Sequence, residues 1–301
     1  MTEQLFQRLV EDGYDLVRLE QLNPVLRPFA LEELWTEWGK MIPHRKGFGL
    51  WSDLDGMMRM SAQWLQCDKV LFLLSGVATG GKDAIRKQID EKFPGRMRKL
   101  VSATTRGIRP GEEHGKDYYF YDREAFKHQI ESGAMLEWGE QGDRLYGLPV
   151  ESIESALLRP EPVMVTHVEM ESGWPGIDRW LQDYRGDLRI GVLKVFVMPE
   201  MPFHDFEKRV WRERATDDPK NRIYKSVREL ALAPRTADVV VTNRIMEGTL
   251  QPLEWVAADL FGSANLMLQD KYRIAVQGSK LDPSQGIPDK MIPAYQEAQV
   301  N

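Results

Sequence analysis

Residues 70–83 constrain this chain more than any other stretch. Val70, Leu71, Phe72, Leu73 and Leu74 form an unbroken apolar run, followed by Ser75 and then Gly76-Val77-Ala78-Thr79-Gly80-Gly81-Lys82-Asp83. A run that apolar, bounded by glycine, predicts a strand buried on both faces. Gly76 and Gly81 stand at the spacing of G-x-x-x-x-G-K-[ST]. Such glycines let the backbone turn tightly and aim its N–H groups at an anion. Ile85, Ile89 and Phe93 then recur every four residues until Pro94-Gly95, which predicts a helix that stops there. Strand, glycine loop, lysine and helix together predict a phosphate loop, with the helix N-terminus supplying a positive dipole end. The competing reading is a glycine-rich turn that binds nothing. One position departs from the pattern: Asp83 stands where a Ser or Thr hydroxyl helps hold Mg²⁺.

Composition narrows the class of protein. The chain has 301 residues, enough for one large domain or two, and a formal net charge of -6. An acidic chain without a long Lys/Arg run argues against nonspecific nucleic-acid binding. Cys67 is the one cysteine, which excludes an internal disulfide and argues against a zinc site. No apolar run approaches the length of a membrane helix, and the N-terminus, with Glu3, Glu11 and Asp12, carries no signal-peptide stretch. These features point to the cytoplasm, with no nucleic-acid or membrane partner.

The rest of the chain divides around the loop. Residues 1–66 predict short helices, with Pro28 to Trp35 reading as a helix start. Trp35, Trp38, Trp51 and Trp64 are too many large rings for a disordered tail, so this extension reads as a helical cap or a separate binding module. Residues 99–148 are richer. Lys99 to Arg106 predicts a short strand and a polar turn, Phe126 and Ile130 a short helix ended by Gly133, Met135 to Trp138 a strand, and Leu145-Tyr146-Gly147 the start of a turn. Two arginines three apart, Arg106 and Arg109, near Tyr118 and Tyr146, form a clamp for a dianionic phosphate; the alternative is a solvated loop. A tyrosine hydroxyl can donate to the same phosphate.

Thr104-Thr105-Arg106-x-x-Arg109-Pro110-Gly111-Glu112, then Gly115-x-Asp117-Tyr118, Leu136-Glu137-Trp138 and Tyr146-Gly147 resemble the acceptor domain of the guanylate kinase family. The resemblance covers about residues 69–260 and implies several roles. Gly76, Val77, Ala78, Thr79, Gly80, Gly81, Lys82 and Asp83 would bind ATP, with Asn243 near its adenine. Ser102, Arg106, Arg109, Tyr118 and Tyr146 would hold the acceptor's phosphate or line its base pocket, with Glu112 supporting the arginine turn. Glu137 would accept from the guanine ring N–H and amino group, and Glu169 would stand for a base-side aspartate. Arg209 and Arg214 would be catalytic lid arginines beside Lys82, and Asp83 the metal ligand. Leu148 departs from the family's small hydroxyl residue facing guanine O6, and His167 from an aspartate near the metal's water shell; His167 reads better as an ordinary strand-end histidine. Among Arg222, Lys225 and Arg228 the later lid cation stays open, as does a merely solvated basic helix face.

The expected architecture is α/β: a P-loop kinase three-layer fold with a parallel core sheet, an inserted acceptor domain and a helical lid. Residues 1–66 form the extension, 67–262 the kinase-like domain (acceptor part about 100–160, lid about 205–230) and 263–301 a polar tail, with a possible edge strand at 271–276. Ala237 to Asn243 predicts the last core strand and Leu250 to Leu260 the closing helix. The expected activity is ATP- and Mg²⁺-dependent phosphorylation of a nucleoside monophosphate, GMP first. The alternatives are a kinase of another phosphorylated acceptor, such as a deoxynucleotide or ribose bisphosphate, and a guanylate-kinase-like binding module without catalysis. Sequence leaves the oligomeric state open.

Overall fold

The structure is a computed structural model that describes residues 67–141, 143–199, 201–215 and 218–243, together with Ala257, Leu260, Phe261, Ala264, Met267 and Leu268. The expectations for residues 1–66, the strand at 271–276 and the tail beyond it lie outside the described residues.

The apolar run forms β1 (Lys69–Gly76), buried along its whole length. It pairs in parallel with β7 (Val163–His167) on one side and β8 (Ile190–Pro199) on the other. Met97–Lys99 (β2) and Val239–Asn243 (β9) complete a five-stranded parallel sheet in the order β2-β7-β1-β8-β9. Alternation along β1 sorts its side chains to two cores. Phe72 and Leu74 pack with Ile85 and Ile89 of α1 (Lys82–Lys92) and with the helical positions Ala257, Leu260, Phe261 and Ala264. Leu71 and Leu73 face the opposite way, against Ile153, Ile177, Phe206 and Val227. These belong to α3 (Val150–Leu157), α4 (Gly173–Asp183), α5 (Phe203–Glu213) and α6 (Pro219–Thr236). Helices on both faces of a parallel sheet are the three layers expected. Of the closing segment, Ala257, Leu260, Phe261, Ala264 and Met267 are helical, the last three beyond the expected end at Leu260.

A second sheet, β4-β3-β6-β5, stands between β2 and β7 in the chain. It comprises β3 (Ala103–Thr104), β4 (Tyr119–Phe120), β5 (Met135–Gln141) and β6 (Arg144–Pro149), with α2 (Arg123–Glu131) before β5. The sheet is mixed: β3 runs parallel to β4, and β6 antiparallel to β3 and β5. Leu145-Tyr146-Gly147 is therefore strand, not the start of a turn. Leu145 packs with Phe126 and Ala103, while Tyr146 sits opposite Thr104 and Gly139. Gly147 serves close packing: a Cβ there would lie 2.7 Å from the Glu137 carbonyl oxygen. All strands of the core sheet point their C-terminal ends the same way, which puts Gly76, His167, Pro199 and Asn243 on one rim, where α/β sheets bind ligands.

Candidate functional site

A cavity of about 780 Å³ opens on that rim, between the core sheet, the second sheet and α6. Its donor wall is the turn from β1 to α1. Gly76 is at φ +140°, and a Cβ there would meet the Val197 carbonyl oxygen at 2.0 Å, so only glycine lets the loop leave the strand. Val77 is in the core, and its N–H donates to Val197 O at 3.2 Å; Gly80 N–H donates to Val77 O at 3.1 Å. Gly81 is the N-cap of α1, and no side chain caps that end. An uncapped helix start at a cavity is an anion site in waiting. Lys82 lines the cavity with its Nζ turned back on its own loop, donating to Gly76 O and, at 3.0 Å, to Val77 O. Burial lowers its pKa, and Glu229 and Asp83 oppose that. Thr79, at φ 56°, holds a buried Oγ1 without a hydrogen-bond partner among the described residues.

Asp83 and His167 meet at this wall. Asp83 Oδ1 lies 3.7 Å from His167 Nδ1, and the carboxylate is exposed to the cavity. His167 is thus part of the cleft, contrary to the expectation of an ordinary strand-end residue. Burial holds its pKa down at about 4, against the pull of Asp83, so the ring is neutral near pH 7. Its Nε2 is buried without a hydrogen-bond partner among the described residues. No group of three or more His, Cys, Asp or Glu forms a metal cage among the described residues. One carboxylate at the mouth of a phosphate loop suits Mg²⁺, which is commonly held by one or two carboxylates together with substrate phosphates.

The acceptor wall comes from the second sheet and its turn. Ser102, Arg106, Arg109, Tyr118, Glu137 and Tyr146 all line the cavity. Arg106 is buried and its guanidinium makes a bidentate pair with Glu112, NH1 to Oε2 at 2.9 Å and NH2 to Oε1 at 2.8 Å. Glu112 also accepts from Arg109 N–H at 2.9 Å. The Arg106 bond, first, and the Arg109 backbone bond hold the Glu112 carboxyl below its usual range, against some desolvation. Arg106 Cζ lies 5.3 Å from the centre of the Tyr118 ring. Deeper in, burial and the neighbouring Glu169 push the Glu137 pKa up to about 7, while Lys225 pulls it down. Glu169 lines the same pocket in an ion pair with Lys225. Leu148, placed opposite Glu137 in the ladder, is fully buried in the main core rather than lining the cavity.

The lid wall departs most from expectation. Arg214 lines the cavity, and its Nε is buried without a hydrogen-bond partner among the described residues. Arg209 does not line it; its Nε is bound to Glu213 Oε1 at 2.9 Å along α5. Arg209 lies within α5, whereas Arg214 is its C-cap, with non-helical dihedrals, where the chain leaves the helix. Of the later cations, Arg222 and Lys225 line the cavity, and Arg228 pairs with Glu171 outside it. Asn243 ends β9, opposite Pro199 in the register.

Sequence reasoning missed several cavity residues, among them Lys99, Ser226 and Glu229. Ser226 and Glu229 share one face of α6 with Arg222 and Lys225, a helical period that was present in the sequence. Ser226 Oγ accepts from Ala78 N–H at 2.8 Å, so α6 is tied to the phosphate loop. Glu229 is buried facing Lys82, and burial pushes its pKa up to about 7 with Lys82 and Lys225 opposing.

Comparison with known proteins agrees with this geometry. The sequence profile described as Guanylate kinase matches residues 68–171. The chain is similar to a guanylate kinase of Rhodopseudomonas palustris (strain BisB18), 32% identical over 180 residues, covering 59% of this chain and 77% of that protein. It is also similar to a guanylate kinase of Trichodesmium erythraeum (strain IMS101), 31% identical over 191 residues, covering 61% of this chain and 93% of that protein. With the glycine loop and the arginine turn on facing walls of one cleft, and with relatives matched over most of their length at this identity, the chain belongs to the guanylate kinase family.

Proposed function

We propose that the protein transfers the terminal phosphoryl group of ATP to the 5′-phosphate of GMP, giving ADP and GDP. One observation carries the reading: a single cavity has Lys82 and an uncapped helix N-terminus on one wall, and the Arg106–Tyr118–Tyr146 cluster with Glu137 on another. In-line phosphoryl transfer needs two phosphates brought together and their charge neutralised, and no covalent nucleophile.

Each wall has its task. Lys82 would leave the Gly76 and Val77 carbonyls and turn to the donor phosphates, which the start of α1 faces. Arg106 and Arg109, with the Tyr118 and Tyr146 hydroxyls and Ser102, would hold the acceptor phosphate. Glu137, ionised, would accept from N1–H and the amino group of guanine, with Glu169 beside it. Arg214 and Arg222 would face the transferring group, whose charge is greatest in the transition state. Mg²⁺ at Asp83, when bound, supplies further charge neutralisation of the donor phosphates; His167 Nδ1 would orient that carboxylate. Cys67 is the one cysteine, so the fold relies on no internal disulfide, and we take the cytoplasm as the place of action.

The test is ADP release with GMP as acceptor, in the parent and in Lys82→Met. The reading expects turnover in the parent and a fall of two or more orders of magnitude in the variant, about 3 kcal/mol of transition-state stabilisation or more. Turnover that survives Lys82→Met would contradict the assignment of the phosphate loop.

A further inference from the structure

Lys99 is a cation in a place where strands usually carry an apolar side chain. It ends β2, the edge strand of the core sheet, and the alternation there leaves Met97 buried, Arg98 exposed and Lys99 half-buried. Its side chain enters the cleft between α1 and the arginine turn. Nζ donates to the Asp117 carbonyl at 3.0 Å and lies 5.4 Å from the centre of the Tyr118 ring. The same ring carries Arg106, at 5.3 Å. An ammonium has three donors. Among the described residues Asp117 O is its hydrogen-bond acceptor, and no carboxylate lies within ion-pair range. Burial lowers its pKa, Arg86 adds to that, and Asp117, Asp83 and Glu112 oppose it.

Charge balance gives this lysine a purpose. The guanidinium of Arg106 is already matched by Glu112 in a bidentate pair. The two together present a fixed geometry but little net charge. A phosphate monoester entering beside Tyr118 carries close to two negative charges near neutral pH. Arg109, exposed at the mouth, supplies one positive charge. Lys99 is a half-buried cation of the same cleft, beside Tyr118, with donors to spare.

We propose that Lys99 binds the phosphate of the acceptor, completing with Arg106, Arg109 and Tyr118 a subsite for a monoester dianion. The proposal rests on the reading of the cleft as a nucleoside monophosphate kinase site. Lysine is suited to the role as a compact point charge that tolerates partial burial, whereas the arginines fix orientation. The ring of Tyr118 lies within cation–π range of both cations, and its quadrupole attracts both.

The experiment compares binding of GMP and of guanosine, which lacks the phosphate, to the full chain and to Lys99→Met and Lys99→Arg. Calorimetry reads GMP, and ligand-observed NMR reads guanosine. Methionine fills the same place without a charge, so Lys99→Met is expected to melt at the parent's temperature or above it. We expect Lys99→Met to weaken GMP by about 10- to 100-fold, as the loss of a hydrogen bond between charged groups does, and to leave guanosine within about twofold. Lys99→Arg should keep most of the GMP affinity. Unchanged GMP affinity in Lys99→Met overturns the proposal. So does an equal loss for GMP and guanosine, since that is the result if Lys99 only braces the Asp117 carbonyl. If the parent binds AMP or a pyrimidine monophosphate better than GMP, and Lys99→Met weakens that ligand but not its nucleoside, the phosphate role stands and the guanine assignment falls. If the parent binds no nucleoside monophosphate, both fall.

Discussion

Glu137 is held in a contest of charges. Burial and Glu169 favour its neutral form, with a pKa near 7, while Lys225 favours the carboxylate. Guanine recognition needs the carboxylate, because a protonated acid would present a hydroxyl to one of two ring donors. The sign follows: binding of GMP should be complete above pH 7 and fade as pH falls through about 7 in the free enzyme. The kcat/KM for GMP, followed from pH 5.5 to 8.5 (about three units around that value), should drop on the acid side, and Glu137→Gln should flatten the profile. The Gln variant should also lose on the order of 2–3 kcal/mol of GMP recognition. A second pair of residues separates two kinds of arginine. Arg214→Ala should lower kcat by about 100-fold, because its guanidinium lines the cleft, while Arg209→Ala should change it by about threefold or less. At this scale much of the site was readable. The arginines and tyrosines could be read as a phosphate clamp and the resemblance added Ser102 and Glu137; Ser102, Arg106, Arg109, Tyr118, Glu137 and Tyr146 all line one cleft. Arg209 was misplaced because it pairs with Glu213 along α5 while Arg214 leaves the helix end for the cleft, and charge alone does not encode where the helix stops. Lys99 was overlooked because a single lysine in a short strand carries no signal of its own.

Among the elements, α6 joins the two halves of the site. One face carries Arg222, Lys225, Ser226 and Glu229, and Ser226 accepts from Ala78 N–H in the phosphate loop. Lys225 and Arg228 bind Glu169 and Glu171 after β7. Ser226→Ala would leave a backbone donor without its acceptor, at a cost of about 1–3 kcal/mol, visible in urea unfolding, and the ATP KM should rise with it. The strand β6 teaches a different lesson. Its Tyr146-Gly147 pair read as a turn because glycine is common there, yet this glycine admits the neighbouring β5 backbone. Leu148, one residue on, packs fully buried against the core. Leu148→Ser should therefore destabilise the protein by about 2–5 kcal/mol in denaturant unfolding rather than sharpen base selection. Helix α1, by contrast, was legible to the residue. Ile85, Ile89 and Phe93 are its buried stripe, and the chain turns away at Pro94-Gly95.

The whole molecule follows from two patterns in the chain. Four apolar runs, β1, β7, β8 and β9, build the parallel sheet with the short β2 at its edge, and parallel strands put every C-terminal end on one rim. The glycine loop marks which strand delivers the phosphate site, and the segment inserted after β2 brings the acceptor residues over it. The strand order was not readable, since pairing of β1 between β7 and β8 depends on contacts between distant runs. The central claim is that this cleft phosphorylates a guanine nucleotide. The most direct measurement is kcat/KM for GMP, dGMP, AMP, CMP and UMP with ATP and Mg²⁺, on the parent chain. The account predicts GMP first, with AMP lower by about 30- to 150-fold, because adenine would turn an unprotonated N1 towards the Glu137 carboxylate. AMP or a pyrimidine nucleotide exceeding GMP would contradict it.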